Sequence, residues 1–216
     1  MSGKIALAGE FLLLFVLLPI LFRPLAPKLS PLPALWLAAF YCWIVMRCFL
    51  GYDAARMWNT APLRGALPSV LLGFAAMAAV TTLAVWLWRP QILFGFVRGN
   101  PGFWAIVMVA YPIVSVWPQG IIYRAFFFER YRPLFPSALM MILASAVAFG
   151  FSHIIFRSPL SVALTFAAGL LFAWRYEATG SLLVSSLEHA LYGCWMFTVG
   201  LGALFYHGAG RAALTR

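Results

Sequence analysis

Acidic side chains are the scarcest class of residue in this sequence. Asp and Glu together number five, against 15 Lys and Arg, and only 9% of the 216 residues are charged. Hydrophobic residues, in contrast, make up 64% of the chain. A water-soluble domain of this length cannot bury that much apolar surface, whereas hydrocarbon tolerates it on every lipid-facing side. The composition therefore excludes a soluble fold and indicates the bilayer as the solvent.

Cysteine and clustered positive charge are also lacking. Cys42, Cys48 and Cys194 show neither metal-ligand nor redox spacing, so we interpret them as small apolar helix residues. The net charge of +10 is spread over the connectors and does not coincide with clusters of aromatic residues. This distribution argues against a nucleic-acid partner and fits a lipid bilayer with anionic headgroups.

Seven apolar runs approach or exceed the roughly 20 residues that a membrane-spanning helix needs. Their bounds are Ile5 to Phe22, Pro33 to Tyr52, Ser69 to Trp88, Phe103 to Phe128, Ser137 to Phe156, Leu160 to Trp174 and Ser181 to Phe205. Glu10 lies inside the first run and no small-residue cleavage site follows it, so we interpret this run as a retained helix rather than a signal peptide. The sequence predicts an all-α polytopic bundle of about seven transmembrane helices.

The connectors do not decide the orientation in the membrane. When they are assigned alternately to the two sides, each side receives seven Lys or Arg residues, and Arg175 is counted among them. No connector is long enough for a soluble domain, so the chain is expected to form one membrane domain. Residues 1–100 are predicted to pack as peripheral helices around a core at 103–206.

Polar groups inside the spans point to a site, because an ionisable residue in hydrocarbon faces a partner or a wet cavity. Nearly all of them fall in the last four spans, at Gln119, Arg124, Ser152, His153, Glu188 and His189. Phe149 shares a helix face with His153, as does Gly193 with His189, because each pair is four residues apart. Pro112 and Pro118 interrupt the fourth span just before Gln119, which predicts a kinked helix beside a polar pocket.

These residues resemble the motifs of the glutamic-type intramembrane proteases, also called the CPBP family, which are bacterial relatives of the CAAX prenyl endopeptidase. The first family motif is Glu-Glu-x-x-x-Arg, and Gln119 to Arg124 reads Gln-Gly-Ile-Ile-Tyr-Arg. The second is Phe-x-x-x-His, matched by Phe149 and His153. The third is Thr-Gly-Ser-Leu, matched at 179–182, then a histidine, here His189, and Asn or Asp four residues later. The resemblance covers about residues 103 to 206.

The resemblance implies a bacterial inner-membrane endopeptidase that cuts membrane-anchored proteins or peptides without a metal or other cofactor. A motif glutamate would activate a water, and His153 and His189 would position it and stabilise the oxyanion. Here Gln119 and Gly120 stand where the family has carboxylates, and Gly193 replaces the Asn or Asp. An amide does not accept a proton at any useful pH, so the general base is missing and hydrolysis is expected to be impaired.

Glu188 is the best substitute carboxylate, because it neighbours His189, although adjacent helical positions point about 100° apart. The competing interpretation pairs Glu188 with Arg124 or with another helix to neutralise a buried charge. For Arg124 we expect an acceptor, which would be Glu188, Gln119 or a carbonyl freed near Pro118. Two histidines and a carboxylate form an incomplete set of metal ligands, so no metal site is predicted.

Three functional readings remain open. The first is an intramembrane endopeptidase with an altered base, and the second is a pseudoprotease that binds a membrane segment without cutting it. A transporter, or an exosortase-like transpeptidase that uses Cys194, is weaker, because the chain shows no inverted repeat and Cys194 has no evident activating motif.

Overall fold

The structure is a computed structural model that describes residues 2–206, and every regular element in that range is helical. Six helices are long and apolar enough to cross a membrane. We number them α1 to α6, with bounds Gly3–Phe22, Pro31–Phe49, Leu63–Trp88, Pro101–Leu134, Ala138–Phe156 and Pro159–Thr179. The all-α polytopic fold is thereby confirmed, and the chain is a multi-pass membrane protein.

The seventh predicted span is a shorter helix, α7, at Leu182–Val199. It does not qualify among the six candidate membrane spans, because Glu188 and His189 interrupt its apolar sequence. The sixth predicted span ends at Trp174, five residues before the observed end of the helix. Helix α6 continues to Thr179, so Arg175 lies within the helix and not in a surface connector.

Helix α4 is the centre of the bundle, since every residue from 120 to 128 is buried. Phe15 of α1 packs edge-on against Phe127 with ring centroids 5.2 Å apart, and Ala39 and Met46 of α2 belong to the same hydrophobic core. Helix α3 packs on α7, where Val70 meets Val184. Helices α1, α2 and α3 thus each bury one face against the rest of the bundle and leave another apolar face for lipid.

Helices α6 and α7 form a tight antiparallel hairpin. Gly180 adopts a left-handed backbone conformation, with φ of +61°, and ends α6. Glycine suits this position because it has no Cβ that would clash in that conformation. Ser181 then caps α7, because its hydroxyl accepts a hydrogen bond from the backbone N–H of Val184 at 3.2 Å. This hairpin fixes the position of His189 along the helix axis relative to the residues of α6.

Candidate functional site

Two prolines shape the part of α4 that carries the first motif. A π-helical turn begins at Pro112 and covers residues 112–116, and a second covers residues 121–126, shortly after Pro118. Because proline has no N–H, the carbonyl four residues before each proline lacks its usual helical donor. The Val114 carbonyl accepts from the Trp36 indole of α2 at 3.0 Å. The Met108 carbonyl is 3.8 Å from the Cys194 thiol, which gives that cysteine a structural contact in the part of the chain described. The predicted interruption of α4 is confirmed, and its freed carbonyls are satisfied by other helices.

A cavity of about 1140 Å³ opens beside this part of α4. It extends from the polar groups of α4, α5 and α7 to side chains of α1 and α2, and most of its wall is apolar. Both motif histidines line it, together with Gln119, Gly193 and Phe149. The structure therefore places His153 and His189 on the wall of one cavity. Their catalytic role stays a prediction.

His153 is held at the end of α5 by its own helix. Its Nδ1 lies 2.7 Å from the Phe149 carbonyl oxygen, and since a carbonyl only accepts, Nδ1 carries the proton. A neutral ring with this tautomer keeps its lone pair on Nε2. The Phe149 ring lies 4.8 Å from the His153 ring and fixes its orientation, so the motif phenylalanine positions the motif histidine.

His189 is sandwiched between aromatic rings. It stacks on Phe172 of α6 with centroids 4.6 Å apart and meets the edge of Phe149 at 5.5 Å. Its Nε2 lies 3.4 Å from the Tyr111 hydroxyl, while its buried Nδ1 has no hydrogen-bond partner in the described structure. The orphan nitrogen marks a place where a polar ligand atom would be stabilised.

Gly193 makes room for Tyr111. A Cβ atom at position 193 would come within 2.3 Å of both Cε1 and the hydroxyl oxygen of Tyr111. The tyrosine from α4 therefore occupies the space beside His189 that a side chain at position 193 would enter. Sequence reasoning missed Tyr111, because 78 positions separate it from His189 and no periodicity connects them.

The two positions that replace the motif carboxylates point in different directions. Gln119 lines the cavity; its amide nitrogen donates to the Ser115 hydroxyl at 2.7 Å, and its buried Oε1 has no partner among the described atoms. Gly120 faces α7 instead, where a Cβ would lie 2.8 Å from the Ser186 hydroxyl. Of the two, Gln119 is the position from which a carboxylate would reach the cavity.

Arg124 corrects one sequence-based expectation, since it finds none of the acceptors predicted for it. It is 2% exposed, and neither Nη1 nor Nη2 has a hydrogen-bond partner within residues 2–206. Its guanidinium carbon lies 4.6 Å from the ring centroid of Phe149 and 5.2 Å from that of Phe172. Cation–π attraction to two rings offsets part of the burial penalty, because the ring faces carry negative potential.

Glu188 lies outside the cavity and supports the competing interpretation, a buried charge neutralised by another helix, with Arg175 and not Arg124 as its partner. It is fully buried and accepts two hydrogen bonds from Arg175 of α6, from Nε at 2.8 Å and from Nη2 at 3.1 Å. Arg175 Nη1 also donates to Ser69 of α3 at 2.9 Å. This bidentate pair neutralises both charges, which makes Glu188 a structural residue and removes it as a candidate base.

Comparison with known families finds one match, over part of the chain. Residues 100–195 match the family model described as Rce1-like, the type II CAAX prenyl endopeptidase Rce1-like proteins. No curated protein and no solved structure matches the chain. The match spans α4 to α7 and includes all three motifs. The match supports the resemblance: residues 100–195 are similar to the CAAX-protease-like family of membrane proteins.

Proposed function

We propose that this chain is a CAAX-protease-like intramembrane protein of a bacterial inner membrane. Its cavity binds a membrane-anchored protein or peptide. The chain hydrolyses this substrate slowly or not at all. One observation carries the impairment: the cavity is lined by Gln119, His153 and His189 but by no carboxylate in the described chain. The five carboxylates of the sequence all fall in the described range and have other partners.

Each of the five carboxylates accepts a hydrogen bond outside the cavity. Four accept hydrogen bonds from arginines, in the pairs Glu10 with Arg130, Glu129 with Arg56, Glu177 with Arg132, and Glu188 with Arg175. Asp53 accepts from the backbone N–H of Ala55 and caps a short turn. Because none reaches the histidines, the protein lacks the general base that the family resemblance requires.

The decisive experiment is Gln119→Glu in reconstituted membranes, with a single-span or lipid-anchored polypeptide as substrate. A general base typically contributes about a hundred- to ten-thousand-fold, so cleavage should rise well above that of the unmodified chain. His153→Ala in the same background should abolish the gain. Cross-linking of the substrate to the unmodified chain reports binding separately from cleavage.

Gly120→Glu is the matched control, because it introduces the same group one position away but toward Ser186 of α7. It should not produce cleavage. Rapid cleavage by the unmodified chain would contradict the impairment. Absence of substrate cross-linking in both the unmodified chain and Gln119→Glu would contradict the whole proposal.

A further inference from the structure

Tyr111 reaches from α4 to His189 of α7 at the wall of the cavity, which both residues line. Its hydroxyl lies 3.4 Å from His189 Nε2, and the two rings meet edge-on with centroids 6.3 Å apart. The Phe197 ring packs against the Tyr111 ring at 5.3 Å and holds it in place. Among residues 2–206, His189 is the one hydrogen-bond partner of this hydroxyl.

The absence of a side chain at Gly193 allows this contact. A Cβ atom there would lie 2.3 Å from the Tyr111 hydroxyl oxygen and 2.5 Å from Cζ, far inside van der Waals contact. Gly193 follows His189 by one helical turn, so a side chain at 193 would stand on the same face of α7 as the imidazole. The hydroxyl from α4 therefore occupies the place beside His189 where a polar side chain of α7 would begin.

The protons of this pair can be arranged in two ways. If Nε2 of His189 carries the proton, the Tyr111 hydroxyl proton lacks an acceptor and Nδ1 lacks a donor in the described structure. If the hydroxyl donates to Nε2, only the proton on Nδ1 is left without a partner there. Since interior polar groups are nearly all hydrogen-bonded, the arrangement with fewer unsatisfied groups is favoured.

We propose that Tyr111 is a positioning residue for His189. Its hydroxyl donates to Nε2, fixes the ring proton on Nδ1 and replaces, from another helix, the polar side chain that is missing at Gly193. His153 has the same tautomer, but its Nδ1 proton is held by the Phe149 carbonyl, so its Nε2 lone pair is free. The two histidines thus offer a ligand opposite groups, a donor from His189 and an acceptor from His153.

The test is nitrogen NMR of the full-length chain with isotope-labelled histidine in lipid nanodiscs, at about pH 8, where an unperturbed imidazole is neutral. The His189 signals, identified by their loss in His189→Gln, should show a protonated Nδ1 and an Nε2 that accepts a hydrogen bond. A His189 ring protonated at Nε2 would overturn the proposal, and this measurement requires no change at Tyr111.

Tyr111→Phe removes the hydroxyl and keeps the ring. The ratio of the Nδ1–H to the Nε2–H tautomer of His189 should fall about two- to tenfold, the shift that one lost hydrogen bond typically gives. The His153 signals are an internal reference and should stay unchanged, because a backbone carbonyl holds that ring. Tyr192→Phe is the matched control, since the Tyr192 hydroxyl faces Gly73 of α3. An unchanged ratio in Tyr111→Phe, or an equal fall in Tyr192→Phe, would contradict the role of the Tyr111 hydroxyl.

Returning the polar group to α7 should restore the tautomer. Tyr111→Ala combined with Gly193→Asn removes the clashing ring atoms and offers His189 an amide donor from its own helix. The tautomer ratio should recover toward that of the unmodified chain, whereas Tyr111→Ala alone should not recover. Equal ratios in these two variants would show that the two positions do not exchange the same polar contact.

Cleavage measures the consequence for the reaction, and this part rests on the proposed function. In the Gln119→Glu background, Tyr111→Phe should lower kcat severalfold and leave KM little changed, because a fixed histidine acts in the transition state more than in binding. An unchanged kcat would remove Tyr111 from the reaction. If Gln119→Glu does not cleave, the proposed function fails by itself, and the tautomer of His189 still decides the role of Tyr111.

Discussion

Two buried arginines in neighbouring parts of the bundle have opposite surroundings. Arg175 is 4% exposed and donates to Glu188 and Ser69, so three helices meet at a charge whose partners are complete. Arg124 is 2% exposed, and its two terminal nitrogens have no partner in the described chain. The first arrangement neutralises a buried charge, while a buried charge without partners marks a candidate functional site. Completeness of partners thus separates the structural end of the core from the candidate site.

Arg175→Met breaks the structural end and should have the largest effect. It leaves the Glu188 carboxylate buried and unpaired, and breaking a buried pair by removing one partner costs about 3–5 kcal/mol. The free energy of unfolding, measured in mixed detergent and dodecyl sulfate micelles by circular dichroism, should fall by that amount.

Arg132→Gln is the control for this change, because it removes the same type of pair at the surface. The Arg132 side chain is 54% exposed and its Glu177 partner 26%. Exposed pairs contribute about 0–1 kcal/mol, so little stability should be lost. Equal losses for both variants would show that burial of Arg175 and Glu188 does not distinguish them.

The sequence identifies Arg124 as a candidate site residue, but it does not predict the partner of Arg124 or of Arg175. The sequence identifies Arg124, Gln119, His153 and His189, because polar residues stand out inside apolar spans and the family resemblance matches their spacing. Run lengths likewise located the six spanning helices to within a few residues at most ends. What the spacing did not contain was the partner of each charge, which depends on how helices pack.

Arg175 and Glu188 show which signal could have found the pair. They lie five residues before and eight residues after Gly180, so in an antiparallel hairpin they are about 7.5 and 12 Å from the turn, at 1.5 Å per residue. Residues at similar levels on two hairpin helices can meet. The pair was not predicted, because the sixth predicted span ends at Trp174 and therefore assigns Arg175 to a connector outside the membrane. Tyr111 carried no comparable signal, since its helix reaches His189 only through tertiary packing.

Gly193→Ala tests the cavity end by shape and should have an intermediate effect. The new Cβ would lie 2.3–2.5 Å from three Tyr111 atoms, so the ring must move away from His189. Overpacking a close contact typically costs about 1–3 kcal/mol. The same micelle unfolding assay should record that loss. In a Tyr111→Leu background, which lacks the clashing atoms, the loss should shrink below about 1 kcal/mol, and undiminished loss would disprove the contact.

Arg124→Met should have the smallest effect on stability, and its sign is the sharpest test of the comparison. The substitution removes a charge whose burial in a membrane costs a few kcal/mol and loses cation–π attraction to Phe149 and Phe172 of about 1–2 kcal/mol. These terms nearly cancel or favour the variant, because no carboxylate is left unpaired. Unfolding should therefore change by less than about 1 kcal/mol or shift toward greater stability. A loss as large as that of Arg175→Met would mean that Arg124 has a structural partner, and the contrast between the two arginines would no longer hold.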